Sequence, residues 1–252
     1  MLEPRRESLS DENRKLSVHL ARSSSEVRDA QRLRYRVFAE EMGARLQGAE
    51  PGVDEDLFDP YCDHLVVTEE ETGEVLGTYR ILSGLTAKRL GSFYSDTEFD
   101  LTRLANLRER TVELGRSCVH PDYRSGVVIA LLWSGLAHYM QLHGYDYILG
   151  CASMSMGDGG HAAAAAYRRL CEKHLSPPEY RAFPRCPLPL DELDCAAAPV
   201  IPPLIKAYLR VGAWICGEPA WDPHFNTADL LMLLPFSRVN QRYAKHFMRH
   251  AA

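Results

Sequence analysis

Thr111-Val112-Glu113-Leu114-Gly115-Arg116-Ser117-Cys118-Val119-His120-Pro121-Asp122-Tyr123-Arg124-Ser125-Gly126 is the stretch on which the fold turns. Thr111 to His120 reads as a β-strand and Pro121 stops it. From Ser125 to His143 runs a long apolar pattern that predicts a buried helix closed by Gly144. A strand delivered into the start of a long helix makes a natural anion site: the first backbone N–H groups are free, the dipole end is positive, and Arg124 and Gly126 stand beside it. Glu113 and Arg116, three apart, fall on opposite faces of a regular strand.

Upstream of this junction, Leu16 to Ala21 alternates as a half-buried strand. Glu26 to Met42 repeats Val27, Ala30, Leu33, Val37 and Phe38 at helical spacing and ends near Gly43. Ala44 to Pro60 is acidic and turn-rich, an exposed loop by composition. His64 to Thr68 and Val75 to Leu82 form an antiparallel hairpin through a turn containing Gly73. Leu85 to Leu90 is a short helical pattern, and Phe93 to Leu101 is irregular. Downstream, Tyr145 to Ala152 predicts a strand, Gly160 to His174 an alanine-rich helix, and Tyr180 to Val200 a strand followed by a loop. Pro203 to Arg210 is a helix with Gly212 beyond its end, and Asp229 to Pro235 is a buried strand. That order describes an α/β (α+β) fold with a mixed sheet. Residues 1–15 read as a flexible N-terminus, residues 16–252 as a single domain, and residues 238–250 as a basic C-terminal helix.

Composition narrows the classes. The 252 residues are 46% hydrophobic and 25% charged, which excludes global disorder, and a net charge of −5 argues against a general nucleic-acid binder. Seven cysteines without a C-x-x-C pair fit a reduced, cytoplasmic protein and give no metal-ligand spacing, so no metal is expected. His138 and His143 are misaligned on a helix, and His246 and His250 have no carboxylate neighbour. The N-terminus lacks the apolar core of a secretory signal, and Val127 to Met140 is too short to span a bilayer.

The run Val119-x-Pro121-x-Tyr123-Arg124 followed by an apolar helix resembles the acyl-donor segment of the GNAT superfamily, where a pantetheine-phosphate arm binds. Val127 and Ile129 stand where that superfamily usually has small residues, which points to a donor whose phosphate is held less closely than that of acetyl-CoA. Five further segments occur in order: Leu33-Arg34-Tyr35-Arg36-Val37-Phe38-x-Glu40-Glu41-Met42, Asp56-x-Phe58-Asp59-x-x-Cys62-Asp63-His64-Leu65, Gly77-Thr78-Tyr79-Arg80, Phe93-Tyr94-x-x-x-Glu98-Phe99-Asp100, and Glu113-Leu114-Gly115-Arg116. Together they resemble the acyl-carrier-protein-dependent branch of the superfamily, which includes acyl-homoserine lactone synthases and ornithine N-acyltransferases. Cys118-Val119-His120-Pro121 and Pro203-Leu204-Ile205-Lys206-x-Tyr208-Leu209-Arg210-x-Gly212-Ala213 bring the likeness nearer to the ornithine enzymes.

The resemblance implies a GNAT-like, largely antiparallel sheet flanked by helices, and transfer of a long, 3-hydroxylated acyl chain from acyl carrier protein to the α-amine of ornithine. Other readings are acylation of another amine (glycine, another amino acid or S-adenosylmethionine), or a silent carrier-protein or membrane-binding module. An α-amine has a pKa near 8, so a carboxylate suffices as base. Glu113 is the first candidate for that role, with Asp59 and Asp63 as rivals or ammonium binders. Backbone N–H groups of Ser117, Cys118 and Val119, together with Arg124, Ser125 and Gly126, are expected to hold the phosphopantetheine of the carrier protein, or CoA, with no bound cofactor. Arg34, Phe38, Arg80 and Arg116 are expected around the substrate, although Arg34 and Arg80 could also serve as ion-pair partners of Asp59 and Asp63. Cys118 reads as a buried structural thiol. Arg103, Arg108, Arg110, Arg168, Arg169 and Lys173 offer positive charge to an acidic carrier protein, and the basic tail offers peripheral contact with the inner face of the cytoplasmic membrane.

Overall fold

In a computed structural model describing residues 15–46, 50–194 and 196–239, the hairpin around Gly73 is the seed of one eight-stranded sheet. Along the chain come β1 (Leu16–Leu20), α1 (Ser24–Tyr35), β2 (Asp63–Glu69), β3 (Val75–Ser83), α2 (Gly84–Leu90), β4 (Phe99–Asp100) and β5 (Thr111–Val119). Then follow α3 (Val127–His143), β6 (Tyr147–Ser155), α4 (His161–His174), β7 (Phe183–Pro184), α5 (Pro203–Val211), β8 (Trp214–Ile215), β9 (Ala220–Asp222) and β10 (Thr227–Pro235). The order across the sheet is β1-β2-β3-β5-β6-β10-β8, with β9 also pairing β10, while β4 and β7 pair apart from it. Every pair in the large sheet is antiparallel except β5 with β6. The expected mixed, largely antiparallel sheet flanked by helices is therefore present.

Alternation along the strands assigns each face its cover. Leu65 and Val67 of β2 point to one side and pack with Leu132, Leu136 and Met140 of α3, in a core that also takes residues of α4 and α5. Val66 and Cys118 point to the other side and pack with Ala30 and Leu33 of α1 and with Val37 just beyond it. Farther along that second side, Leu149 of β6 and Leu231 of β10 pack with Phe93, Phe99 and Leu104. Each fully buried aliphatic or aromatic side chain contributes roughly 1.5–3 kcal/mol relative to exposure. Ser23 caps α1 by accepting from the Glu26 N–H at 3.2 Å. Beyond Tyr35 the helix widens into a π turn over Arg36–Glu41, so the expected helix to Met42 is present with a changed winding.

Several expectations need correction. The acidic loop before β2 is not simply exposed, because Val53, Asp54 and Asp59 are buried in it. Tyr180 to Val200 supplies only the two residues of β7, and β8 and β9 have no clear alternation in so short a length. Ser125 lies outside α3, whose N-cap is Gly126 at φ +108°, a left-handed conformation that glycine adopts without steric cost. Apart from Lys15, Arg238 and Val239, the flexible segment 1–15 and the basic helix 238–250 lie outside the described residues. Among the described residues no helix is long and apolar enough to cross a membrane.

Candidate active site

The parallel register between β5 and β6 runs only from Thr111 opposite Tyr147 to Glu113 opposite Leu149. At that apex the strands nearly touch: a Cβ on Gly150 would come within 2.4 Å of the Leu114 carbonyl oxygen. Beyond it they part, and a cavity of about 690 Å³ occupies the wedge. Side chains from both faces of the sheet line it, including Phe38, Arg80, Glu113 and Arg116 from one side and Tyr79, Ile129 and Tyr208 from the other. Among the described residues the β5 edge facing β6 has no strand partner over Gly115 to Val119, so its backbone groups open into the cavity. Ser117, Cys118 and Val119, whose backbone N–H groups are the ones expected to hold the donor arm, lie on this edge.

A bulge brings Glu113 and Arg116 together. Thr78 stands opposite Cys118 while Arg80 stands opposite Gly115, so β5 carries one extra residue there, and Arg116 adopts φ +50°. The simple alternation that separates the two side chains fails at this point, and both line the cavity. Glu113 is buried; its Oε1 accepts from the Ser95 N–H (2.7 Å) and hydroxyl (2.5 Å), and its Oε2 accepts from the Tyr94 N–H (2.7 Å). Burial pushes its carboxyl above the ordinary range despite these donors.

Arg34, Asp59 and Asp63 do not line the cavity. Arg34, 0% exposed, donates through Nε to Asp54 (2.7 Å) and through Nη1 and Nη2 to Asp59 (2.6 and 3.0 Å). Asp59 also accepts from Arg80 Nη1 at 3.0 Å. Burial alone would raise the Asp59 carboxyl, but the Arg34 hydrogen bonds and the Arg34 and Arg80 charges outweigh it and hold it well below the usual range. Asp59 is thus a fixed anion at the base of the site, not a proton acceptor, and Arg34 is its counter-ion rather than a substrate contact. Asp63 accepts from the Tyr139 hydroxyl at 2.7 Å, away from the wedge, which removes it as a base. Arg80 and Arg116 link this buried layer to the cavity: Arg80 Nη1 and Arg116 Nη2 clasp the two oxygens of Asp56 at 2.6 and 3.1 Å. Arg116 lies over the rings of Phe225 (4.7 Å) and Tyr94 (5.1 Å), and its buried Nε has no hydrogen-bond partner although Asp54 is 3.2 Å away.

At the donor end Ser117, Cys118, Val119, Arg124 and Gly126 line the cavity, whereas Ser125 is an exposed turn residue that does not. Arg124 is clamped by both oxygens of Glu41, at 2.6 and 2.7 Å, so its charge is shared before any anion arrives. Burial pushes the Cys118 thiol up to about 12, which fits a structural cysteine and not a nucleophile. The basic residues expected to meet a carrier protein do not form one patch. Arg108 pairs with Asp96 and Arg110 with Asp146, and Leu104 beside them packs on the opposite face of the sheet from the α4 residues near Arg168 and Arg169.

Sequence reasoning missed a further group. Glu98, Cys151 and Asp229 each place one ligand atom within 4.8 Å of the others, and Ser95 Oγ lies 3.4 Å from Cys151 Sγ and so joins them to Glu113. Glu98 lies in one of the segments that carry the resemblance, while Cys151 and Asp229 come from distant segments with no motif spacing. The available signal was a charge, Asp229, at the head of the otherwise apolar DLLMLLP run.

A family model described as an acetyltransferase (GNAT) domain matches residues 33–134. Over 250 residues the chain is 40% identical to an L-ornithine N(alpha)-acyltransferase of Rhodobacter capsulatus, covering 92% of this chain and 94% of that protein. A relative from Brucella abortus carrying the same name is 37% identical over 248 residues, covering 92% of this chain and 88% of that protein. Among solved structures, a CoA-dependent acyl-homoserine lactone synthase with MTA superposes with a TM-score of 0.56 at 12% identity, covering 95% of this chain and 90% of that one. FeeM, an N-acyl amino acid synthase from uncultured soil microbes, gives 0.56 at 12% identity, covering 90% of this chain and 94% of that one. At such identity the two solved structures speak to the fold alone.

Proposed function

The chain is an acyltransferase with a GNAT-like fold that belongs to the L-ornithine N(alpha)-acyltransferase family, and from that premise we propose that it acylates the α-amine of L-ornithine. The proposed donor is a long, 3-hydroxylated acyl thioester on the phosphopantetheine of acyl carrier protein, and the product is lyso-ornithine lipid. A cytoplasmic enzyme touching the inner face of the membrane through its basic tail completes the reading. The observation that carries it is the cavity through the sheet: a donor arm can enter along the free edge of β5 while an amine arrives from the face that bears Glu113, Arg80 and Arg116.

The chemistry needs few groups. The amine lone pair attacks the thioester carbon, the carbonyl oxygen becomes an oxyanion near the unpaired N–H groups of β5, and collapse expels the thiolate as the amide forms. Glu113 takes the proton that the amine loses; its Oε2 has accepted only one hydrogen bond and keeps a lone pair. Arg116 and Arg80, held in place by their ion pairs with the buried aspartates, face the acceptor's carboxylate.

Incubating the purified chain with 3-hydroxyacyl carrier protein or the matching acyl-CoA, with and without L-ornithine, tests the reading. The expected result is ornithine-dependent release of free carrier thiol, with N-acylated ornithine found by mass spectrometry. Thiol release that ignores ornithine, or requires S-adenosylmethionine instead, overturns it. Liposome flotation of the full chain against a variant lacking residues 238–252 tests the membrane contact, and equal flotation of both overturns that part.

A further inference from the structure

Across the wedge from Arg116, the wall formed by β6, β9 and β10 carries acids that the transfer chemistry leaves unused. Asp229 of β10 and Cys151 of β6 line the cavity, with Glu98 beside them. Asp229 is 4% exposed, and its Oδ1 has no hydrogen-bond partner. Both carboxylate oxygens of Glu98 and the hydroxyl oxygen of Thr227, which also lines the cavity, are likewise buried without a well-formed hydrogen bond, their near neighbours being one another, Cys151 and Ser153 and none of them a cation. Asp222 stands on the same wall, but one of its oxygens is committed to the N–H groups of His224 and Phe225, at 2.7 and 3.2 Å. Among the described residues neither Glu98 nor Asp229 forms an ion pair with an arginine or lysine.

A buried carboxylate without a cationic partner is costly, so two of them side by side opening on a ligand cavity call for a ligand that supplies what the fold does not. The missing complement is a cation with several donors. An alkylammonium carries three N–H bonds, which suits carboxylate oxygens of Asp229 and Glu98 and the Thr227 hydroxyl. The opposite wall bears Arg80 and Arg116, each already ion-paired with buried aspartates, so the cavity presents guanidinium donors on the β3–β5 side and carboxyl acceptors on the β6–β10 side, with Glu113 at the apex between them. An amino acid with a basic side chain has that same polarity: carboxylate to the arginines, side-chain ammonium to the acids, α-amine between.

We propose that Asp229, with Glu98 and Thr227, forms the subsite for the side-chain ammonium of the acceptor and so makes the enzyme select a basic amino acid. This inference rests on the amino-acid acceptor proposed above and adds the residues that choose it.

The test compares L-ornithine with norvaline, which has the same carbon chain without the side-chain amine, and with 1,4-diaminobutane as a carboxylate-free probe. Calorimetric binding is measured on the full chain, and kcat/KM with an acyl carrier thioester, for wild type, Asp229→Asn and Glu98→Gln. Wild type should favour ornithine over norvaline by about 100-fold or more, the scale expected when a buried charge is left unpaired. In Asp229→Asn that ratio should fall to within about tenfold, and Glu98→Gln should move it the same way. A ratio retained in both variants overturns the subsite, as does tight binding of a divalent metal ion to wild type that is lost in both. If wild type binds ornithine and 1,4-diaminobutane selectively but acylates no ornithine, the acceptor reading falls and the ammonium subsite stands. If it acylates ornithine and norvaline equally well, the subsite falls and the acyltransfer reading stands.

Discussion

Glu113 and Asp59 are both buried acids, yet their surroundings push them in opposite directions. Burial raises Glu113, whose partners are neutral N–H and O–H donors, while two arginines hold Asp59 low. Only the first is shifted toward accepting a proton. Glu113→Gln should lower kcat by about 10²- to 10⁴-fold with a small effect on KM for ornithine. The wild-type rate should fall with acid at a pH above the ordinary carboxylate range, because the base must be ionised. A pH–rate profile of both proteins checks this; an acid limb unchanged in Glu113→Gln assigns the base elsewhere. Asp59→Asn removes a charge that balances Arg34 and Arg80, and should cost about 3–5 kcal/mol of stability by denaturant titration. The residue types of this layer were legible in the sequence, where Arg34, Arg80 and Asp59 could be paired on paper. Their depth was not, because an acidic, turn-rich stretch has the composition of a solvated loop whether or not arginines from α1, β3 and β5 draw it inward.

The long periodic elements follow from their patterns: α1, α3, α4, β2, β3 and β5 lie where apolar spacing and glycine or proline stops put them. What escapes is local. A one-residue bulge at Arg116 leaves no trace in hydropathy yet turns that side chain onto the face of Glu113, and β8 and β9 are too short to show a period. The parting of β5 from β6 is also invisible, since it reflects three-dimensional register and not propensity. Gly150 is the sequence mark of its apex. Gly150→Ala places a methyl group 2.4 Å from the Leu114 carbonyl oxygen, so the strands must separate immediately beyond their last paired residues. That substitution should cost roughly 1–3 kcal/mol and widen the wedge. Thermal unfolding together with KM for the acyl donor reads it out; wild-type values in both would show that the apex is not tightly packed.

Seen across the molecule, the site combines two electrostatic regimes whose pH dependences run in opposite senses. Asp59 is held low in the fold, so its contribution to stability is present above the ordinary carboxylate pKa and is lost as acid titrates its depressed folded value. Glu98 behaves in reverse. Burial, with the charges of Asp229 and Asp222 nearby, pushes it from 4.5 up to about 9, and Asp229 is raised in the same way. Tyr94, Cys151 and Asp222 face the pair from the turn before β4, from β6 and from β9, and none of them brings a positive charge. The folded chain therefore keeps a proton that the unfolded chain releases, so stability from this pair is complete below about 4.5 and declines as pH rises toward about 9. Glu98→Gln removes the titration and should raise the melting temperature at about pH 8.5 but not at about pH 5, by roughly 2–4 °C for each kcal/mol relieved. Saturating L-ornithine should narrow that gap, since a bound ammonium lets the wild-type acids ionise without leaving them unpaired. A melting temperature that Glu98→Gln lowers equally at both pH values would mean that the acids are already satisfied within the fold, and that the negative wall is part of the scaffold instead of a place held open for a cation.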